Sequence, residues 1–167
     1  MIRNKKKLLT FFTVICLPAF IIASPDWLKI NGISPCWPVI WLLPFSLNNK
    51  PWKSAIASIL LGIFMDSFTI IGASYIPSLL FLSLVWSQYR LHNKKIELFL
   101  SIGLMAILGT ALVGFSLWIQ KIIFYSFLRN YWFHSWSIFV LGSEVIITGL
   151  AAPFFSSWLL LTYKKNY

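Results

Sequence analysis

The sequence contains few charged residues for its length. Only 11% of its 167 residues are Asp, Glu, Lys or Arg, whereas ordinary soluble domains contain about 25%. Apolar residues make up 59% of the chain, and its mean hydropathy is +0.80. Because charged side chains normally cover a water-facing surface, this composition excludes an ordinary soluble domain and an intrinsically disordered chain. The surface is therefore expected to face lipid.

Metal-binding and reactive side chains are also scarce. The two cysteines, Cys16 and Cys36, do not form a C-x-x-C pair, and His92 and His134 are far apart in the chain. This spacing supports neither a disulfide framework nor a zinc module. No G-x-S-x-G, H-E-x-x-H or Walker sequence occurs. We therefore expect no enzyme activity, no cofactor and no metal site.

Long uncharged stretches are what the sequence has in abundance. A helix needs roughly 20 mainly apolar residues to cross a hydrocarbon core of about 30 Å. Six stretches approach that length, namely residues 8–23, 33–47, 54–72, 75–89, 98–119 and 137–163. They predict an all-α integral membrane protein in which residues 1–167 form a single polytopic domain, a compact bundle of six transmembrane helices.

The first two stretches leave alternatives open. Residues 1–23 combine a basic start with an apolar run, which is also typical of a cleaved secretory signal. The stretch 33–47 is short and contains Pro38 and Pro44, so it is also compatible with a hairpin that dips in from the cytoplasm. Neither alternative changes the orientation of the later spans.

Lysine and arginine lie almost entirely on one side of the predicted bundle. With the N-terminus inside, eleven of the 14 basic residues fall in cytoplasmic segments and three in outer loops. Because cytoplasmic loops of membrane proteins are rich in Lys and Arg, we expect both termini in the cytoplasm. Anionic lipid then accounts for the net charge of +10, and nucleic acid is not expected as a partner.

Small residues recur every three or four positions in three of the predicted spans, and such a row lets another helix come close. Two of the rows contain an acidic residue, which is expensive inside a membrane and marks a pathway or a buried contact. The rows are Ser54, Ser58, Gly62 and Asp66, then Gly103, Ala106, Thr110 and Gly114, then Glu144, Thr148, Ala152 and Ser156.

The two acids in these rows are expected at a similar depth. Asp66 lies about 18 Å from the inner start of its helix, and Glu144 lies about 12 Å from the outer start of its own. Because no Lys or Arg is predicted beside them, we expect neutral carboxyl groups that donate hydrogen bonds within the bundle or to a partner. A proton-driven transporter could use both acids, but the internal repeats common in transporters are absent from the sequence.

The predicted outer connection between the last two spans is rich in aromatic side chains. Residues 121–135 carry little charge, so the segment is expected to lie along the membrane interface. Clustered exposed apolar groups also mark contact sites. Tyr131 and Trp132 are therefore candidates for contact with a partner.

Several short motifs occur in an order that resembles a known family. In chain order they are Pro35-Cys36-Trp37, the polar turn 48–53, Gly62 and Asp66 in a G-x-x-x-D pattern, the turn glycine Gly72, and Pro153 ahead of a basic tail. In these motifs and in length the chain resembles the rod shape-determining protein MreD family. Two positions depart from the family pattern: Ser74 stands where a second turn glycine is common, and Glu144 has no counterpart.

The resemblance implies a non-catalytic inner-membrane scaffold of the bacterial cell-elongation complex, which carries out peptidoglycan synthesis. It implies binding to an MreC-like bitopic membrane protein, and through it to an MreB-like filament and the RodA polymerase with its transpeptidase. The family fold is similar to the substrate-binding subunits of energy-coupling-factor transporters. The alternative function is therefore that of a substrate-binding membrane subunit of a vitamin transporter.

Overall fold

The computed structural model describes residues 29, 32–68, 73–92, 99–126 and 136–164. These residues form five helices, which are α1 (Trp37–Asn48), α2 (Pro51–Phe68), α3 (Ile76–His92), α4 (Phe99–Ser126) and α5 (Trp136–Lys164). The all-helical class is thereby confirmed, and each helix overlaps one predicted stretch from 33–47 onward. Helix α4 continues to Ser126, so it includes the first part of the segment 121–135 that was predicted as an outer connection. The first predicted stretch, 8–23, and the question of its cleavage lie outside the described residues.

Two of the helices are long and apolar enough to cross a membrane. The stretches that meet this criterion are Ser101–Ile123 in α4 and Ile138–Trp158 in α5. At 1.5 Å per residue the two full helices extend for about 42 and 44 Å, which exceeds a hydrocarbon core of about 30 Å. A shorter apolar stretch, Ile76–Tyr89, lies in α3.

Helix α1 lies at the centre of the described bundle. It contacts all four of the other helices, and ten of its 12 residues are buried. Val39, Leu42 and Leu43 have no exposed surface at all. A helix that is apolar all round is one that is buried on every side, which is why α1 has no polar face. Its internal proline, Pro44, is thus accommodated inside protein.

Prolines and a terminal asparagine define where the first three helices begin and end. Pro38, Pro51 and Pro77 each lie in the first turn of a helix, where the missing N–H group would have had no partner in the helix. At the other end of α1, the backbone and side-chain amides of Asn49 both donate to the Phe45 carbonyl. The chain can therefore reverse within two residues and start α2 at Pro51.

Helices α2 and α3 pack against each other through small side chains. Ser54, Ser58 and Gly62 are buried, as the spacing of four predicts. Ser83 in α3 donates a hydrogen bond to Ser58 at 3.1 Å, and Ser87 is buried one turn further along. The two helices therefore share a register in which each has a small polar residue once per turn.

Helices α4 and α5 form a second extensive pair. From the predicted row in α4, Gly103, Ala106 and Thr110 are buried. From the row in α5, Thr148, Ala152 and Ser156 are buried as well. The rows of small residues in the fifth and sixth predicted spans thus face protein.

Candidate functional site: a polar cluster between the helices

Polar side chains from several helix ends meet in one region of the described bundle, here called the polar cluster. Asp66 lies near the end of α2, and Ser74 and Tyr75 directly precede α3. The remaining members are Cys36, which directly precedes α1, and side chains of α4 and α5. The polar cluster consists of Cys36, Asp66, Ser74, Tyr75, Gln120, Glu144 and Thr148.

Asp66 joins the end of α2 to the beginning of α3. Its Oδ2 accepts a hydrogen bond from the Ser74 hydroxyl at 2.6 Å, and its Oδ1 accepts one from the Tyr75 N–H at 2.8 Å. The Ser74 Oγ in turn accepts the N–H of Ile76, the first residue of α3. Amide groups at a helix start lack partners within the helix, and these bonds supply them. Both oxygens of Asp66 accept in these contacts, and the expectation of a neutral carboxyl group stays a prediction.

Gln120 of α4 holds the same turn from the other side. Its Oε1 accepts the Ser74 N–H at 2.7 Å, and its Nε2 donates to the Ser74 carbonyl at 3.0 Å. The same Nε2 donates to the Ser116 hydroxyl one helical turn earlier. No motif or spacing in the sequence indicates a role for Gln120. The signal was present, since an amide side chain inside a long apolar helix needs polar partners.

Glu144 and Thr148 of α5 lie beside the start of α1. The Thr148 Oγ1 accepts the Cys36 N–H at 2.9 Å and donates to the Glu144 backbone carbonyl at 2.6 Å. The Glu144 carboxyl lies close to the Cys36 thiol, which is buried. Because Cys36 immediately precedes α1, these contacts fix the point at which the central helix begins.

Tyr75 connects the two halves of the polar cluster. It is half-buried and lies within electrostatic range of Cys36, Glu144 and Asp66. Asp66 bonds the turn before α3, whereas Glu144 contacts the start of α1. The two acids therefore belong to one polar region, as their similar predicted depth indicates, and they act on different segments of the chain.

Gly62 lets the start of α3 approach α2 one turn before Asp66. A Cβ atom at Gly62 would lie 2.7 Å from the Ile76 Cγ1 and 2.8 Å from the Ile76 Cα. Contacts this short with backbone require the helices to move apart. Of the two residues of the G-x-x-x-D pattern, Gly62 thus contacts the first residue of α3 and Asp66 bonds the two residues before it.

Pro153, another candidate from the sequence, is buried between α4 and α5. A proline cannot donate to the carbonyl four residues earlier, which here belongs to Gly149. A Cβ atom at Gly103 of α4 would lie 3.2 Å from the Pro153 Cγ and 3.4 Å from that carbonyl oxygen. Pro153 therefore takes part in a close approach of two helices.

A second proline has a polar partner on another helix. Pro44 in α1 leaves the Ile40 carbonyl without its usual helical donor. The Ser156 hydroxyl of α5 donates to that carbonyl at 3.2 Å. Ser156 thus compensates inside the bundle for a hydrogen bond that Pro44 removes, which is how membrane helices tolerate internal prolines.

The remaining candidates from the sequence are Gly72, Tyr131 and Trp132, and all three lie outside the described residues. In the part of the chain that is described, no three His, Cys, Asp or Glu side chains come together as a metal site requires. What the polar cluster does chemically is to bind segments of the chain to one another. No family model, curated protein or solved structure matches the chain.

Proposed function

We propose that this chain is a non-catalytic multi-pass scaffold in the bacterial inner membrane, part of the cell-elongation complex that synthesises peptidoglycan. Six crossings, with both termini in the cytoplasm, belong to the proposal. The observation that carries it is that the polar cluster binds segments of the chain to one another. Asp66, Glu144, Thr148 and Gln120 each contact another segment of the same chain. Groups engaged in this way determine the shape of the bundle.

The exposed surface supports a membrane location. Only 33% of an 18-residue apolar window in each of α4 and α5 is buried inside the bundle, whereas a core helix of a soluble protein is mostly buried. Phe139 and Leu150 of α5 are 78% and 66% exposed. Removing apolar area from water is worth about 25 cal/mol per Å², so side chains of this size favour a surrounding lipid phase.

The G-x-x-x-D pattern supports the resemblance to the MreD family. In this chain the glycine allows close packing of α2 on α3, and the aspartate binds the start of α3. Both residues therefore shape the α2–α3 hairpin. We infer that the hairpin and its neighbours offer a fixed surface to an MreC-like bitopic partner, and through it to the filament and the polymerase pair.

The position of α1 favours a scaffold over the vitamin-binding alternative. A substrate-binding subunit captures its ligand between helices, which requires space inside the bundle. The centre of the described bundle is instead filled by α1, whose Val39, Leu42 and Leu43 are fully buried. Asp66 and Glu144 are already engaged with other segments of the chain, which gives less support to catalysis or transport.

Affinity capture in mild detergent tests the proposal. The tagged full chain is expected to recover a bitopic membrane protein, and depletion of the chain is expected to round cells of a rod-shaped host. Gly62→Leu should reduce recovery strongly, because the α2–α3 hairpin no longer packs. Gly142→Ala is the matched control, since no atom lies within 4 Å of a Cβ there.

Two results would contradict the scaffold. Recovery of a small molecule together with an ATPase pair would support the vitamin transporter instead. Unchanged cell shape on depletion, with no bitopic protein recovered by the native chain, would remove the link to cell elongation.

A further inference from the structure

One face of α2 carries an exposed apolar stripe, here called the α2 stripe. It consists of Trp52, Ile56, Ile59 and Ile63, which are 60%, 48%, 36% and 52% exposed. Steps of four, three and four residues place these side chains on one side of a helix. The opposite face of the same helix packs on α3 through Ser54, Ser58 and Gly62. The stripe is thus the outward face of α2.

Two lysines lie at the N-terminal end of the α2 stripe. Lys50 and Lys53 are both exposed, and the Lys53 Nζ lies 5.8 Å from the centre of the Trp52 ring. In the part of the chain that the structure describes, the acids are Asp66 and Glu144, and both belong to the polar cluster. Asp66 is 15 residues further along the chain than Pro51, about 22 Å along the helix. Among the described residues, both acids are thus engaged away from Lys50 and Lys53.

The length of the stripe matches one leaflet of a membrane. From Trp52 to Ile63 the helix rises by about 17 Å, and half of a typical hydrocarbon core is about 15 Å. Tyr89 of α3, which is 43% exposed, lies level with Trp52 in the register set by the Ser58–Ser83 bond. Tryptophan and tyrosine settle at headgroup depth, so this end of the α2–α3 pair has the features of a membrane interface.

We propose that Lys50, Trp52 and Lys53, together with the α2 stripe, bind an anionic phospholipid. The phosphate group lies between the two lysines, and an acyl chain lies along Ile56, Ile59 and Ile63. A lipid accounts for both parts of the surface at once, because it carries negative charge at one end and hydrocarbon along the rest. The proposal rests on the membrane location given above, but it does not depend on a role in cell elongation.

Native mass spectrometry of the detergent-purified full chain tests this proposal, with phosphatidylglycerol and phosphatidylcholine of equal acyl length as probes. The native chain is expected to retain phosphatidylglycerol preferentially. Near a membrane surface each lysine contributes about 1 kcal/mol, so the double change Lys50→Gln and Lys53→Gln should lower retention by about tenfold or more. Lys121→Gln is the matched control, since Lys121 is exposed on α4, and it should leave retention unchanged.

Three further measurements complete the test. Lys50→Arg with Lys53→Arg keeps both charges and should preserve retention. Added salt should weaken retention of phosphatidylglycerol by the native chain more than retention of phosphatidylcholine. This measurement needs no variant. Inorganic phosphate alone should not raise the melting temperature, because it lacks the acyl chain.

Four results would overturn the proposal. These are equal retention of the two lipids, retention within twofold of native after the glutamine changes, an equal loss with Lys121→Gln, and stabilisation by inorganic phosphate alone. If partner capture fails while lipid retention follows the expected pattern, only the role in cell elongation is lost.

Discussion

At the scale of single residues, Gly62 and Gly142 occupy opposite situations. A Cβ atom at Gly62 would lie 2.8 Å from the Ile76 Cα, whereas nothing lies within 4 Å of one at Gly142. Both glycines are inside helices, where glycine is otherwise unfavourable. Comparing substitutions at the two glycines therefore separates the effect of close packing between α2 and α3 from the general effect of glycine on helix stability.

We expect Gly62→Ala to destabilise the protein by about 1–3 kcal/mol, since backbone must move to admit the methyl group. Gly142→Ala should be neutral or stabilising by up to about 1 kcal/mol, because alanine is the better helix former. Thermal unfolding of the two purified variants in the same detergent measures the difference. Equal melting temperatures would show that α2 and α3 do not approach as closely as described.

Asp66→Asn should be tolerated much better than Asp66→Leu. The asparagine Oδ1 can still accept the Tyr75 N–H, and its amide can donate to the Ser74 hydroxyl. Leucine leaves those groups unpaired at about 1–3 kcal/mol each. Thermal unfolding and membrane yield compare the two variants. If asparagine is as damaging as leucine or lysine, the residue acts through its charge or a transferable proton, and transport regains support.

The sequence identified Asp66 and Glu144 because ionisable residues are rare in apolar stretches. It did not predict that Asp66 accepts, since this depends on where the amide of Tyr75 and the hydroxyl of Ser74 lie after the turn. Gln120 was missed for the same reason. Its partner is a backbone segment 46 residues away, and no local pattern connects the two.

At the scale of helices, α1 differs most from expectation. The stretch 33–47 looked weakest as a span because it is short and contains Pro44 inside the helix. With 12 residues α1 extends for only about 18 Å, less than a hydrocarbon core of about 30 Å, and it is surrounded by four other helices. Which helix becomes the central one depends on tertiary contacts that hydropathy does not report.

The bond between Ser156 and the Ile40 carbonyl should depend on Pro44. Ser156→Ala is expected to cost about 1 kcal/mol in the native chain, because it leaves that carbonyl unpaired. In a chain with Pro44→Ala, a backbone N–H can supply the missing bond, so the same change should cost less. A double-mutant cycle on thermal stability gives the coupling. An equal cost in both backgrounds would mean that the hydroxyl does not compensate for the proline.

The pairing of α2 with α3 could be predicted only in part. The row Ser54, Ser58 and Gly62 was evident from its spacing, and Ser83 and Ser87 show the same spacing in the next stretch. Either row indicates a face that packs closely. Neither specifies its partner, because several stretches carry small residues and the choice depends on tertiary contacts such as the Ser58–Ser83 bond.

At the scale of the whole molecule, composition determined more than any motif. The scarcity of charge predicted apolar helices, and α4 and α5 are long and apolar enough to cross a membrane. The number of crossings, the side on which the termini lie and the partners remain predictions. They rest on the distribution of lysine and arginine and on short motifs, and no contact within the described bundle tests them.

The central claim is that the chain crosses the membrane repeatedly, with the turn between α1 and α2 inside and the end of α4 outside. Single cysteines at Asn49 and Lys121, in a chain carrying Cys16→Ser and Cys36→Ser, test it with a membrane-impermeant maleimide. The account predicts that Lys121→Cys is labelled in intact spheroplasts and that Asn49→Cys is labelled only after lysis. Labelling of Asn49→Cys in intact spheroplasts, or recovery of the chain in the soluble fraction, would contradict it.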